Sequence, residues 1–287
     1  MSEPADFRPA GDLSATLVFV RHGESTYVAE GRFQGRHDPP LSELGERQAR
    51  LVAARLADPF AGAPVPLPTG PLAGIWSSPL RRATRTAELI ASAQPAPRDV
   101  TPCPELIEIA QGEWEGHLLA DVRARWPAEL AAWRRRPTEA HAPGGEPLHD
   151  AARRVQTGLA SIDEQLVAAT RAKPGEAPSP DRAGAAASRD RDPVPGYLSS
   201  RPADAARDPW AILVAHDGIL RLALLSLLGL PLERFWAVPF NLCALTVVGL
   251  HDGVATLRAH NLADHLAPLG VEQRAAEEAR GERRGAL

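Results

Sequence analysis

Cysteine is scarce: Cys103 and Cys243 are the two in 287 residues. They form neither a C-x-x-C pair nor a dense framework, which excludes a disulfide scaffold and reads as two inert packing residues in a reducing, cytoplasmic setting. Positive charge is also short, with 32 Lys+Arg against 36 Asp+Glu and a formal charge of −4. No overall basic field is left to hold nucleic acid or an anionic membrane surface, so any anion binding must be local. Long apolar runs are missing as well. The most apolar stretch, residues 219–232, is short for a membrane span and contains Arg221, so it reads as a buried helix. The amino terminus carries Glu3, Pro4 and Asp6 and lacks a basic segment leading into an apolar core, the plan of a secretory signal.

What is present fits a globular chain, because a 44% hydrophobic content is enough to build a sizeable core. Residues 1–12 read as a flexible tail, 13–270 as a single domain and 271–287 as a charged tail. Two compositional breaks fall inside the domain. Residues 60–71 are rich in proline and read as an exposed loop. Residues 171–209 hold seven prolines and one aromatic, Tyr197, too little apolar surface to offset ordering entropy, so they read as a disordered insertion.

Between the breaks, strand and helix patterns alternate. Residues 15–20 read as a first strand. Ser42 caps a helix running to about Ala57, with Leu44, Leu51 and Val52 on one stripe. A short apolar run at 72–76 precedes a helix over 80–93, with Pro79 placed for its first turn. Helical patterns follow at 118–135 and 148–170. A buried strand at 211–215 opens into a helix over 219–228, and 246–250 with 256–259 flank the turn His251-Asp252-Gly253 as a terminal hairpin. This order predicts an α/β three-layer sandwich, a mostly parallel central sheet with helices on both faces.

The chemistry collects at strand ends. Leu17-Val-Phe-Val-Arg21-His22-Gly23 ends an apolar strand in an Arg-His pair and a glycine, at the carboxyl end where open α/β sheets hold ligands. Histidine offers a nitrogen nucleophile, arginine a planar fork of donors suited to phosphate oxygens, and Gly23 a backbone that can approach a bound group. The pattern recurs at Ile212-Leu-Val-Ala-His216-Asp217-Gly218, and neighbouring parallel strands would bring both histidines to one crevice. Between them Arg82 stands at a helix start, where free N–H groups also favour an anion.

Those residues resemble the histidine phosphatase superfamily, the phosphoglycerate-mutase-like family. The resemblance is carried by Arg21-His22-Gly23-Glu24-Ser25-Thr26, by Gly31-Arg-Phe-Gln-Gly-Arg-His-Asp38-Pro-Pro-Leu-Ser42-Glu-Leu-Gly45, by Ser77-Ser-Pro-Leu-Arg-Arg82-Ala, by Leu106-Ile-Glu108-Ile-Ala-Gln-Gly-Glu-Trp-Glu-Gly116, by Pro143-Gly-Gly-Glu146 and by His216 with Gly218. It covers about 15–170 and 210–266. It implies a phosphoglycerate-mutase-like fold and phosphoryl transfer without metal or cofactor. His22 would be the nucleophile that becomes a phosphohistidine, and Glu108 the proton donor and later the base. Arg21, Arg82 and His216 would clamp the phosphoryl oxygens, with Gly218, Gln34 and Ser25 beside the substrate. Glu108 must hold a proton to act as donor, so its pKa is expected to be raised.

Three positions depart from the pattern. Val28 stands where the family often has an asparagine that donates to phosphate, leaving Gln34 or Ser25 to supply that bond. Asp217 stands where glycine is common and adds negative charge beside an anion site unless its side chain points away. Pro147 follows Glu146 where serine is common. Trp114 reads equally as a substrate-mouth residue or as packing, while His37, His117, His149, His251, His260 and His265 match no pocket motif.

The segment after Gly116 resembles the phosphatase branch, so the expected activity is hydrolysis of a small phosphomonoester. A phosphoglycerate mutase needing a bisphosphate primer is the alternative, and a non-catalytic phospholigand-binding or scaffold protein the third. The sequence leaves the oligomeric state open, a dimer included.

Overall fold

The computed structural model describes residues 7–11, 13–60, 67–96, 98–171 and 208–271. Residues 61–66 of the proline-rich stretch, 172–207 of the insertion and 272–287 of the charged carboxyl-terminal tail therefore lie outside the described residues.

Six strands form one sheet in the order β3-β2-β4-β1-β5-β6. β1 (Ala15–Arg21), β2 (Leu72–Ser77), β3 (Val100–Pro102) and β4 (Trp210–Ala215) are mutually parallel; β5 (Leu245–His251) and β6 (Val254–Leu262) add an antiparallel hairpin. β1 and β4 read as continuous apolar runs because both faces of the sheet are covered. Alternate residues feed two cores: Leu17, Phe19, Leu213 and Ala215 into one, Val18, Val20, Ile212 and Val214 into the other. The expected mostly parallel, three-layered arrangement is what the structure has. The hairpin turns through Asp252 and Gly253, both left-handed at φ 51° and 73°, as an Asp-Gly pair favours.

Helices α2 (Glu43–Ala57) and α3 (Arg81–Ala93) cover one face, after the short α1 (Thr26–Glu30). Ser42 caps α2 as expected, its Oγ accepting from Gly45 N–H at 3.0 Å. The buried stripe differs, running through Gly45, Ala49, Val52, Ala53 and Leu56 while Leu44 and Leu51 are half-buried. α3 begins two residues beyond Pro79, and its uncapped first turn is closed by a distant side chain, Asp38 Oδ1 accepting from Arg81 N–H at 2.7 Å.

The other face carries α6 (Leu148–Arg171) and α7 (Asp217–Leu227), with α4 (Leu119–Arg125) and α5 (Pro127–Arg135) beyond. The single helix expected over 118–135 is broken at Trp126, because Pro127 disfavours helical geometry in the residue before it and starts α5 instead. Every residue of α7 from Gly218 on is buried, and among the described residues no helix is long and apolar enough to cross a membrane. Residues 7–11, read as tail, lie against the body: Phe7 and Ala10 pack on the core, and Ala10 N–H donates to Asp163 Oδ2.

Candidate active site

Sheet register builds the site. β1 pairs β4 with Arg21 opposite Ala215, and His22 N–H continues the ladder to Ala215 O at 3.0 Å, so the next residues, His22 and His216, leave adjacent strands side by side. Their rings lie 5.0 Å apart at 60°. β2 ends one strand further along, where Ser78 N–H donates to Val214 O at 3.0 Å. Three parallel strands thus present three polar side chains at one carboxyl edge.

His22 is buried, and its Nδ1 lies 2.6 Å from Gly23 O. A carbonyl only accepts, so Nδ1 carries the proton and Nε2 keeps its lone pair. Burial, then the charges of Arg82 and Arg21, hold the ring well below the ordinary histidine pKa and therefore neutral. Gly23 serves a different neighbour from the one expected. A Cβ there would stand 2.5 Å from Gly45 O, and one on Gly45 would stand 1.9 Å from Glu24 O. The two glycines let α2 pack directly on the loop that follows His22.

Arg82 is fully buried. Its Nε points at His22 Nε2 from 3.3 Å, while Nη1 and Nη2 donate to His37 O at 2.7 Å and Gly35 O at 2.9 Å. Burial lowers its pKa to about 10, which leaves it charged at neutral pH. The fork is thus fixed in place before any ligand arrives. The expected helix-terminal contribution is smaller, since Arg81 N–H is already taken by Asp38. Arg21 is anchored through Nη1 to Phe240 O at 2.6 Å. His216 Nε2 lies 2.7 Å from Ser78 Oγ, and its buried Nδ1 has no partner. Burial, with Arg82 next, lowers the His216 pKa too.

Glu108 comes from the irregular stretch between two short 3₁₀ turns and meets the start of α7, where a Cβ on Gly218 would be 2.8 Å from Glu108 Oε1. That oxygen accepts from Ile109 N–H at 2.9 Å. Desolvation raises the carboxyl pKa, against the opposing pull of that N–H and of Arg82. Gly218 therefore makes room for the acid, a role not anticipated for it.

Asp217 turns its carboxylate sideways. Oδ2 accepts from Arg221 Nε at 2.9 Å and Oδ1 from Phe240 N–H at 3.2 Å, with Arg21 Nη1 at 3.9 Å. Ser25 Oγ is occupied, capping Val28 N–H at 3.2 Å and donating to Gln34 Oε1 at 2.5 Å. Gln34 is thereby oriented with its amide N–H₂ left to donate. Trp114 is packing: it is fully buried against Phe33, ring centroids 5.4 Å apart. Of the other histidines, His251 is engaged by Ser14 and Arg258, His260 by Thr246 and His265 by Cys243 O. Sequence reading gave no role to Ser78, Asp38, Phe240 or Arg36. Adjacent parallel strands made Ser78 accessible to inference, whereas the others act across long loops.

Comparison with known proteins agrees with this geometry. The family model described as histidine phosphatase superfamily (branch 1) matches residues 17–170 and 196–263. A protein named phosphoserine phosphatase 1 from Hydrogenobacter thermophilus is 27% identical over 256 residues, 89% of this chain and 96% of its own. The solved structure of a mycobacterial glucosyl-3-phosphoglycerate phosphatase with VO3 superposes at a TM-score of 0.63, with 27% identity over 86% of this chain and 99% of that one. A 2,3-bisphosphoglycerate-dependent phosphoglycerate mutase from Sinorhizobium fredii is 34% identical over half of this chain and 64% of its own.

Proposed function

Because the chain belongs to the histidine phosphatase superfamily, branch 1, we propose that it is a phosphatase that hydrolyses a small phosphomonoester through a phosphohistidine on His22. One observation carries this reading: with its proton on Nδ1, the neutral His22 turns its Nε2 lone pair toward the fixed Arg82 fork, accepting from Arg82 Nε at 3.3 Å. A phosphoryl group entering there meets Arg21, Arg82 and the unpartnered Nδ1 of His216, which take its oxygens. Nε2 attacks phosphorus in line, the P–O bond to the leaving group breaks, and Glu108 gives that oxygen its proton. Glu108 then takes a proton from water as the water oxygen attacks the phosphohistidine, freeing phosphate and restoring His22. Guanidinium and imidazole groups supply the charge stabilisation, so the reading includes activity in the presence of a chelator.

Full-length similarity to proteins named for phosphatase activity favours hydrolysis over mutase chemistry, where similarity to the named mutases spans half the chain. A cytoplasmic location belongs to the same reading. A screen of phosphate release across sugar phosphates, phosphoglycerates and nucleotides, with His22→Ala as blank, tests it. Loss of about 10⁴-fold or more in the variant is expected. Interconversion of phosphoglycerates that needs 2,3-bisphosphoglycerate and releases no phosphate would establish the mutase instead, and equal activity in the variant would refute the nucleophile.

A further inference from the structure

Glu108 is carried by five residues, 107–111, that belong to no helix or strand, yet a proton donor must be held within a fraction of an ångström of its target. The backbone here is held by two arginine side chains and by the Glu146 main chain instead. Arg154, on α6, donates through Nη1 to the carbonyls of Glu105 and Ile107, the latter at 2.8 Å. Arg36 Nε donates to Glu108 O at 3.2 Å, and Glu146 N–H donates to Ala110 O at 2.9 Å. The three side chains are joined: Glu146 takes Arg154 in a two-point grip, Nε at 3.2 Å and Nη2 at 2.8 Å, and Arg36 Nη2 at 3.1 Å. The Arg154 and Glu146 side chains are 19% and 13% exposed, so water screens the pair little.

We infer that Arg154 and Glu146, completed by Arg36, are positioning residues that set the Glu108 carboxyl for proton transfer to the leaving oxygen. The inference rests on Glu108 being the proton donor. The brace spans the acid: the Glu146 carboxylate holds Arg154 on the backbone entering it and Arg36 on the Glu108 carbonyl, while the Glu146 main-chain N–H meets the backbone leaving it. Lysine in place of Arg154 would keep the charge but lose the planar fork that serves one carboxylate and two carbonyls together. None of the three needs to touch the substrate for this role.

The nature of the leaving group separates positioning from plain structural support. A nitrophenolate departs without a proton, whereas an alkoxide needs one. Steady-state kinetics with p-nitrophenyl phosphate and with glycerol 2-phosphate would be compared for the unmodified protein, Arg154→Lys, Glu146→Gln, Arg36→Met and Glu108→Gln. The brace variants are expected to lose about tenfold or more in kcat/KM, which reports transfer to His22 and not the later hydrolysis common to both esters, on the glycerol ester while staying within about threefold on the nitrophenyl ester. Conservative Glu146→Asp should recover part of the loss. Equal loss on both esters, or none on either, in Arg154→Lys and Glu146→Gln would overturn the brace if Glu108→Gln is itself selective for the glycerol ester. A non-selective Glu108→Gln would instead remove Glu108 as donor, and the brace with it. Arg36 is 40% exposed, so its variant keeps the test available where the buried substitutions impair folding.

Discussion

Gly218 and Glu108 share one van der Waals surface: a methyl group built on the glycine would stand 2.8 Å from the carboxyl oxygen Oε1 and equally close to Ile109 Cδ1. Both obstructing atoms are ends of flexible side chains, which can give way cheaply. Gly218→Ala is therefore expected to leave the thermal midpoint nearly unchanged while displacing the acid, lowering kcat on an alkyl phosphate by about tenfold or more. Parallel melting curves and kinetics would check it, and an unaffected kcat would contradict the contact.

In the proposed mechanism the pH profile follows from two opposed shifts. His22 acts while neutral, and its pKa lies well below 6.5, so activity is lost on the acid side only as pH falls through that lowered value. Glu108 acts while protonated, and its pKa lies above 4.5, so activity is lost on the alkaline side as pH rises through that raised value. kcat/KM on an alkyl phosphate should show both limbs. Glu108→Gln should erase the alkaline one.

Asp217 places one negative charge near the clamp, tied to Arg221 and to Phe240 N–H. Asp217→Asn keeps an acceptor for Phe240 N–H and leaves Arg21 on Phe240 O while removing the charge. Inorganic phosphate should then inhibit more strongly, its inhibition constant falling by about threefold or more. Weaker inhibition would mean that Arg21 depends on the carboxylate for its position.

Gly45→Ala differs from the Gly218 substitution in what it strikes. Its Cβ would lie 1.9 Å from Glu24 O, a backbone atom of the loop after His22 that cannot swing aside. A loss of roughly 2–3 kcal/mol is expected, seen as a thermal midpoint lowered by several degrees.

Much of this was legible in the sequence because it is written locally. His22 and His216 end apolar runs, and continuous runs of that kind suit strands buried on both faces, as the parallel neighbours β1 and β4 are. Ser42 and the Asp252-Gly253 turn were legible through cap and turn chemistry. The broken helix at Trp126 was written in Pro127 but outweighed by periodicity across it. Glu108 was identified through family resemblance, since an irregular loop has no period to read. Arg36 meets Glu146 across more than a hundred residues, and Glu146 meets Arg154 from a loop to a helix eight residues on, so neither pair follows a spacing rule within one element. Asp217 and Arg221, four apart on one helix, did carry a readable spacing, and it explains why the extra charge turns aside.

β4 enters the sheet at Trp210 and delivers His216 at its opposite end, while α6 runs out at Arg171. The start of β4 is thus the end of the strand remote from the histidine pair. A label carried on Asp208, just before β4, would therefore sit roughly 20–25 Å, one strand length, from His216.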